Sequence, residues 1–255
     1  MAGRIIAVCG KGGVGKTFLT AAMVKLLAAE GGLKILAIDA DPSFGLAPAL
    51  GVKAKKTVSD IRNNLIEEIK KGKKTGDKSE LLSRLDYEVF EALVENANLA
   101  VLAIGRPEDE GCYCQVNELL KEIITSLSAN FDRVLIDGEA GIEQINRRVM
   151  KRVDELVLVT DTSAKGRNVV LAIKKLVDDR QAVECRRMGL VINRVGSRKE
   201  VDRILGGVSL ELLGWIPEDD MVREYDFNDR PITDFPDTLP SIVAVRQIVK
   251  KLEAY

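Results

Sequence analysis

The sequence has 255 residues, of which 46% are hydrophobic and 30% are charged, and its formal net charge is −1. A chain of this length can bury one complete α/β core, so we expect a single domain over residues 1–255. The near-zero charge argues against nucleic acid and anionic membranes as partners, and neither a membrane span of roughly 20 apolar residues nor a signal peptide is recognisable, so we expect a cytoplasmic protein.

The first predicted elements are a strand, a glycine-rich loop and a helix. The apolar run Ile5 to Cys9 precedes Gly10-Lys-Gly-Gly-Val-Gly-Lys-Thr17, and apolar residues recur at helical spacing after it. Glycines let successive N–H groups point at phosphate oxygens, and the helix adds the positive end of its dipole. In this G-x-x-x-x-G-K-S/T pattern, Lys16 is predicted to reach the β and γ phosphates and Thr17 to bind Mg²⁺ through its hydroxyl. The predicted nucleotide-binding residues of the loop are Gly12, Gly13, Val14, Gly15, Lys16, Thr17 and Phe18.

The second predicted strand, Lys34 to Asp39, runs into the loop Ala40-Asp41-Pro42. Hydrolysis of a γ-phosphate needs a group that orients the attacking water and carboxylates near Mg²⁺. Alternation in an extended segment would place Asp39 and Asp41 on one side, facing the phosphate site. The alternative is a solvated loop with a turn-favouring Asp-Pro pair.

Residues 57–96 carry two helical patterns, one from Val58 to Ile69 and the other from Leu81 to Val94. The stretch between them, Lys70 to Lys78, is charged and contains glycine, which is typical of a mobile surface connection. We therefore expect the region of about residues 53–98 to be helical and partly mobile.

Strand and helix patterns alternate through the rest of the chain, with a helix predicted from about Val116 to Ser128. Continuous apolar strands that alternate with helices indicate an α/β fold with a mostly parallel sheet and helices on both faces. The last pattern, Ile242 to Leu252, lacks the aromatics and the basic face of a membrane anchor, so we expect this helix to close one face of the sheet. The later predicted strands are Leu99 to Ile104, Arg133 to Asp137, Leu156 to Thr160, Leu190 to Ile192 and Leu210 to Ile216.

Polar residues follow several of these strands, where ligands bind in such sheets. Asp137 ends a hydrophobic strand, a pattern that anchors Mg²⁺, and its pairing with Lys16-Thr17 favours this interpretation over a plain strand end. Asn193 is a candidate for hydrogen bonds to an adenine edge, and Pro217 and Asp219 are candidates for the opposite wall.

The chain has four cysteines, Cys9, Cys112, Cys114 and Cys185, and no histidine, so a soft-metal site must rest on thiolates. Cys112 and Cys114 can both bind one metal ion, whereas a closed thiolate site has four ligands. A two-fold dimer in which each chain supplies this pair completes the set. The alternatives are a redox-inert pair and a transient disulfide.

These motifs together resemble those of one ATPase class. Lys11-Gly-Gly-Val-Gly-Lys-Thr17 resembles the deviant Walker A motif of the MinD/ParA/nitrogenase-iron-protein class, and Asp39-Ala-Asp-Pro42 resembles its first switch. Val134-Leu-Ile-Asp137, followed by Ala140-Gly-Ile-Glu143, resembles the Walker B motif and second switch. Within the class, Gly111-Cys-Tyr-Cys114 followed by Asn117, with Glu139-Ala-Gly-Ile-Glu143, resembles the CooC family, whose ATPases mature nickel-containing carbon monoxide dehydrogenase and include relatives for acetyl-CoA synthase.

The resemblance implies a P-loop NTPase that converts ATP to ADP with Mg²⁺ and forms a homodimer when ATP binds. Lys11 would contact the partner's phosphates, Lys16 those of its own chain, and Asp41 would position the attacking water. Cys112 and Cys114 of both subunits would hold Ni²⁺, or Zn²⁺ in its place, for delivery to a client nickel enzyme. Thr17, Asp39 and Asp137 are the residues implied around Mg²⁺. Phe18 stands where the class usually has a second Thr that contacts the α-phosphate.

Two other functions remain open from the sequence. A MinD/ParA-type positioning ATPase that acts on a membrane or DNA shares the same motifs, and the near-neutral charge argues against it. An electron-transfer iron protein with a bridging 4Fe–4S cluster uses two well-separated cysteines per chain, in contrast to the C-x-C pair.

Overall fold

The computed structural model describes residues 3–72, 77–106, 114–140, 149–179 and 183–254, and the side chains of residues 78, 114, 115 and 140 are not described. The strands within these ranges are β1 (Arg4–Gly10), β2 (Ile35–Asp39), β3 (Val94–Asn96), β4 (Leu99–Ala103), β5 (Arg133–Ala140), β6 (Arg152–Thr160), β7 (Glu184–Val195) and β8 (Glu211–Pro217). The α-helices are α1 (Lys16–Glu30), α2 (Leu46–Ala49), α3 (Val58–Lys70), α4 (Lys78–Glu91), α5 (Cys114–Ser128), α6 (Ala164–Asp178), α7 (Arg198–Leu205), α8 (Asp220–Phe227) and α9 (Pro240–Glu253), and a 3₁₀ helix spans Ile232–Asp234.

The strands form one eight-stranded sheet in the order β3-β4-β2-β5-β1-β6-β7-β8. Every pairing is parallel except that of β3 with β4. One apolar layer packs α1, α2 and α9 on one face, and the other packs α3 to α7 on the opposite face. Because both faces are covered, the central strands are buried along their length, which explains their continuous apolar sequences. The predicted α/β fold with helices on both faces is confirmed.

The region between β2 and β4 differs in part from its prediction. Helices α3 and α4 match the two helical patterns, but α4 ends at Glu91, and Val94 belongs to strand β3 instead of the helical stripe. Val94 pairs with Val101 in an antiparallel ladder, and Ala97 takes a positive φ of 50° in the turn. Pairing to the exposed edge of β4 therefore overrides a short helical pattern. The mobility expected for this region stays a prediction.

The final helix, α9, packs against β8 and α1. Its apolar stripe from Ile242 to Leu252 is buried in the core. Gly214 of β8 permits this contact, because a Cβ atom there would lie 2.6 Å from Ile248. The expectation that this helix closes one face of the sheet is confirmed. None of the described helices is long and apolar enough to cross a membrane.

Candidate functional site

The loop between β1 and α1 lies at the carboxyl edge of the sheet, and its glycines are required by its geometry. Gly10 leaves β1 with a φ of 154°, and a Cβ atom there would lie 2.1 Å from the carbonyl oxygen of Val159. Gly15 precedes α1 with a φ of 90°, which L-residues rarely adopt. Lys16 is buried, and its Nζ donates to the carbonyl oxygen of Lys11 at 3.3 Å. The loop therefore surrounds its own lysine, as a phosphate-binding loop requires.

Thr17 and Asp137 are in direct contact. The Thr17 hydroxyl donates to Oδ2 of Asp137 at 2.6 Å, and Thr20 Oγ1 lies 3.5 Å from Oδ1 of the same carboxylate. Asp137 and Asp39 are paired neighbours on β5 and β2, and both are fully buried. The structure thus brings together the three residues that the sequence assigns to Mg²⁺.

The environment of the two carboxylates favours a cation. Burial raises the pKa of Asp137 to about 7, against the hydrogen bond from Thr17, and the nearby charge of Asp39 raises it further. Burial also raises the pKa of Asp39 to about 6, against hydrogen bonds from the N–H groups of Leu46 and Asp41. Two adjacent buried carboxylates need protons or a cation. Their oxygens and the Thr17 hydroxyl are the hard ligands that Mg²⁺ prefers, so the donor set fits this ion.

Asp41 lies beside the phosphate loop, but Asp39 does not line the cavity there. Asp41 lines the same cavity as Gly12, Gly13 and Lys16, and its Oδ1 accepts from the N–H of Ser43 at 2.9 Å. Asp39 accepts from the N–H groups of Asp41 and Leu46, at 3.2 and 3.0 Å. Because β2 ends at Asp39, regular strand alternation stops there, and the expectation that both carboxylates face the phosphates stays a prediction.

Lys11 forms an ion pair within its own chain. Its Nζ lies 3.1 Å from Oδ2 of Asp161, and both side chains are about one-quarter exposed or less. Burial raises the pKa of Asp161, but the hydrogen bonds from Ser163 and Lys11 outweigh this effect and lower it. Asp161 was not among the site residues predicted from the sequence. Its position directly after the carboxyl end of β6 is the signal that points to it.

Asn193 and Asp219 both bond to backbone groups. The Asn193 Nδ2 donates to the carbonyl oxygen of Val14 at 2.8 Å, so it holds the phosphate loop. The carboxylate of Asp219 accepts from the N–H groups of Met221 and Ser241, at 3.1 and 3.2 Å. Asn193, Pro217 and Asp219 nevertheless line the same cavity as the phosphate loop, together with Ser241, which was not among the predicted residues.

The cavity has a volume of about 720 Å³ and extends from the phosphate loop to the end of β8. Phe18 lines it, and its ring centroid lies 6.3 Å from that of Phe235. Phe235 in turn makes an edge contact with Tyr225, with ring centroids 4.5 Å apart. Phe18 thus extends an aromatic cluster to the cavity wall, where the resemblance implied a Thr hydroxyl. Glu139, from the second-switch motif, also lines the cavity.

The structure describes the side chains of only two of the four cysteines, Cys9 and Cys185. Cys112 lies outside the described residues, and Cys114 begins α5, although its side chain is not described. Cys9 is buried, which raises the pKa of its thiol to about 12, and burial also raises the pKa of Cys185. Among the described residues, no cluster of three His, Cys, Asp or Glu side chains is arranged to hold a metal ion.

The sequence and the fold of this chain are similar to those of known nucleotide-binding proteins. The model of the CobQ/CobB/MinD/ParA nucleotide-binding domain matches residues 5–232. An uncharacterised ATP-binding protein of Methanocaldococcus jannaschii is 38% identical over 97% of this chain and 98% of its own length. The carbon monoxide dehydrogenase accessory protein CooC of Rhodospirillum rubrum is 31% identical over 87% of this chain and 86% of its own length. In fold, the crystal structure of the cell division ATPase MinD of Pyrococcus furiosus is similar with a TM-score of 0.69 at 24% identity, and covers 99% of both chains.

Proposed function

The chain belongs to the CobQ/CobB/MinD/ParA nucleotide-binding family, and from this premise we propose that it is a cytoplasmic ATPase that carries nickel to a client enzyme. ATP binding and hydrolysis would drive the formation of a homodimer. The dimer would hold the metal ion between the C-x-C pairs of its two chains. The observation that carries the nickel role is this C-x-C motif in a chain that is 31% identical to a carbon monoxide dehydrogenase accessory protein.

The phosphate loop and the residues around it support the proposal that the chain binds and hydrolyses ATP. Lys16 would bind the phosphates of ATP, and Thr17 with Asp137 and Asp39 would hold Mg²⁺. The bound ion would neutralise charge on the phosphates. Asp41, which lies beside the loop and lines the same cavity, would orient the attacking water.

Lys11 supports the proposal that the chain forms a dimer when ATP binds. Lys16 already serves the phosphates of its own chain, so a second loop lysine is available for those of a partner, where it would act as an arginine finger does. In this structure Lys11 is bound to Asp161, so it must exchange that carboxylate for a phosphate when the dimer forms. Asp161 would therefore oppose dimer formation until ATP supplies a better partner.

The metal-binding part of the proposal requires the C-x-C motif to lie near the ATP site. Strand β4 ends at Ala103, beside the end of β2, and α5 begins at Cys114. The end of β4 therefore lies at the carboxyl edge of the sheet, the edge that holds the phosphate loop, whereas Cys112 lies outside the described residues. Asn117, in the first turn of α5, accepts from Nε of the buried Arg62 at 2.8 Å, which ties α5 to α3.

A short chain of backbone contacts supports coupling between the two halves. The N–H of Ile104 donates to the carbonyl oxygen of Asp39 at 2.8 Å, and the carbonyl oxygen of Ile104 accepts from the N–H of Ser59 at 2.8 Å. Asp39 lies at the start of the first switch, and Ile104 lies at the start of the connection to the C-x-C motif. A movement of the first switch would therefore be transmitted through these hydrogen bonds to α3 and to the connection that follows Ile104.

Metal titration tests the proposal. We expect the unaltered chain to bind one Ni²⁺ per two chains, and Cys112→Ala and Cys114→Ala each to lose this binding. Cys185→Ala is the matched control, because Cys185 lies in β7 and is partly exposed but is not in the C-x-C motif. Equal Ni²⁺ affinity and stoichiometry for the unaltered chain and Cys112→Ala would show that the proposed site is wrong.

Mass in solution tests the coupling to ATP. We expect ATP with Mg²⁺ to increase the fraction of dimer, and Ni²⁺ to increase it further only when Cys112 and Cys114 are both present. Light scattering with and without each ligand measures these fractions. A Ni²⁺ affinity that is the same with and without ATP would separate metal binding from the ATPase and contradict a carrier cycle driven by ATP.

A further inference from the structure

A groove lies between helices α4 and α5 at the amino edge of the sheet, opposite the phosphate loop. Lys34, Asn98 and Phe131 line it, and they precede the parallel strands β2, β4 and β5. The later turns of the two helices form its walls, and we call it the α4–α5 groove. Its volume is about 570 Å³, and none of the described residues lines both this groove and the nucleotide cavity.

Two aromatic side chains of α4 line the groove and remain largely exposed. Tyr87 is 64% exposed and Phe90 is 55% exposed. Leu85 and Val89 make the buried contacts of this helix, so the fold does not depend on the two aromatic rings. Because Tyr87 and Phe90 are three residues apart, they lie on the same side of the helix. Exposed aromatic residues beside an apolar groove are typical of a surface that binds another molecule.

The groove is open, which favours a polypeptide segment over a small molecule. Leu93, Ile123 and Leu127 give it an apolar lining that packs on the core, while Tyr87 and Phe90 are more than half exposed. Sites for small molecules enclose most of the surface of their ligand. A polypeptide segment can instead lay apolar side chains in a groove and cover the rings at its rim.

Carboxylates determine the charge on the α4 side of the groove. Asp86 and Glu95 line it and are exposed, as is Glu91 at the end of α4. None of the three forms an ion pair with another residue that the structure describes, and Arg84 of the same helix is engaged by two other glutamates. The lining contains one basic residue, Lys34, so acidic charge exceeds basic charge there.

This charge argues against three occupants. DNA and anionic membranes are repelled by an acidic surface. A second copy of the chain, bound through the same surface, would bring the carboxylates of both copies together. Like charges that face each other across an interface oppose association. A polypeptide that carries basic and apolar side chains matches both the charge and the lining of the groove.

We propose that the α4–α5 groove binds a segment of another protein in which an aromatic or branched apolar side chain stands next to Lys or Arg. The apolar side chain contacts Tyr87 and Phe90, and the basic side chain pairs with Asp86 or Glu95. Since the groove and the phosphate loop lie at opposite edges of the sheet, the segment and ATP bind at the same time. The inference goes beyond the proposed function and depends on neither nickel nor ATP hydrolysis.

Selection from a library of random dodecapeptides displayed on phage tests this inference. The complete, unaltered chain is the bait, and the most enriched peptide is synthesised with a fluorescent label. Fluorescence anisotropy then measures its affinity for the unaltered chain and for variants. Phe227→Ala is the matched control for Phe90→Ala, because Phe227 is 88% exposed in α8 and lies outside the groove. Glu224→Gln, an exposed position of α8, is the control for Glu95→Gln.

We expect the enriched peptides to combine aromatic or branched apolar residues with Lys or Arg. Tyr87→Ala and Phe90→Ala should each weaken binding at least about tenfold, as the loss of a central aromatic contact does. Glu95→Gln should weaken it about threefold, and less at high ionic strength, because the charges are exposed. Both controls should bind as the unaltered chain does. All variants should keep its urea midpoint of unfolding, since each replaced side chain is exposed.

Four results would overturn the inference. The first is that no peptide is enriched, or that the enriched peptides are acidic. The second is that Tyr87→Ala and Phe90→Ala bind the peptide as the unaltered chain does. The third is that ATP displaces the peptide, which would assign it to the nucleotide cavity. The fourth is that the chain self-associates without nucleotide and Phe90→Ala abolishes this, which would make a second copy the occupant. Failure to bind nickel or to hydrolyse ATP would remove the proposed function and leave this inference intact.

Discussion

The Thr17 hydroxyl donates to the Asp137 carboxylate over 2.6 Å, although the two residues are 120 positions apart in the chain. This bond joins the start of α1 to β5, the strand beside β1 at the centre of the sheet. The phosphate loop and the carboxylates assigned to Mg²⁺ are thereby held as one unit. Any change in the charge of Asp137 therefore acts on both folding stability and nucleotide binding.

Asp137→Asn should stabilise the protein in a pH-dependent manner. The pKa of Asp137 is raised from its ordinary value of 3.8 to about 7 by burial. The native state therefore holds a proton that the unfolded chain releases, and this contribution to stability is present below pH 4 and is lost as pH rises to 7. Asn carries no charge, so its advantage over Asp should grow by roughly 2–3 kcal/mol between pH 5 and pH 8.

Urea unfolding at pH 5 and pH 8, without Mg²⁺, measures this difference in the free energy of unfolding. Asp202→Asn is the control, since Asp202 is an exposed carboxylate paired with Arg198 and should change stability by less than about 0.5 kcal/mol at both pH values. An advantage of Asp137→Asn that does not grow between pH 5 and pH 8 would contradict the effect of burial. The same variant should lose the Mg²⁺ dependence of ATP binding.

Asp161→Asn should favour the ATP-dependent dimer. The Asn side chain keeps an oxygen for the N–H of Ser163, but it no longer offers a carboxylate to Lys11. A partly exposed ion pair contributes up to about 1 kcal/mol, and each dimer breaks two of them, so their loss should strengthen dimerisation with ATP by up to roughly thirtyfold. Sedimentation equilibrium with ATP and Mg²⁺ measures this change, with Lys11→Ala as the variant that should not dimerise. Weaker dimerisation of Asp161→Asn would show that Asp161 supports the dimer.

Asp41→Ala should retain ATP binding and lose turnover by at least about a hundredfold, the usual effect of removing a group that activates water. Asp41 also accepts from the N–H of Ser43, so the alanine variant alters the loop as well. Asp41→Asn is the matched variant, because its amide oxygen preserves that bond without a carboxylate. Single-turnover release of phosphate should be slow in both. Normal turnover in Asp41→Asn would assign Asp41 a role in loop shape alone.

Asn193→Ala should weaken all purine nucleotides by a similar factor. Its Nδ2 holds the carbonyl oxygen of Val14, and Gly15 packs so closely that a Cβ atom there would lie 2.3 Å from Nδ2. Loss of this support should lower affinity about tenfold for ATP and GTP alike, as the loss of one buried hydrogen bond predicts. Competition binding with both nucleotides measures the two factors. A loss confined to ATP would instead support the prediction that Asn193 contacts the adenine edge.

The local features of this protein could be predicted from the sequence, because they depend on neighbours in the chain. The strand–loop–helix unit at Gly10 to Thr17, the buried strands and the stripe of α9 all follow from short-range periodicity. The parallel sheet follows from the alternation of these elements. Strand β3 escaped prediction because three residues at a sheet edge carry too little pattern to compete with the helical stripe that precedes them.

The tertiary structure alone decided the partner of each polar side chain at the site. Lys11 meets Asp161 150 positions away, and Asn193 meets Val14 179 positions away. Asp219 bonds to the first turns of two helices, and the buried Ser241 hydroxyl has no partner among the residues that the structure describes. A sequence motif specifies which donors and acceptors reach the carboxyl edge of the sheet. Which of them remain available for a ligand depends on the groups that folding brings beside them, since a buried polar group bonds to whatever partner lies within about 3 Å.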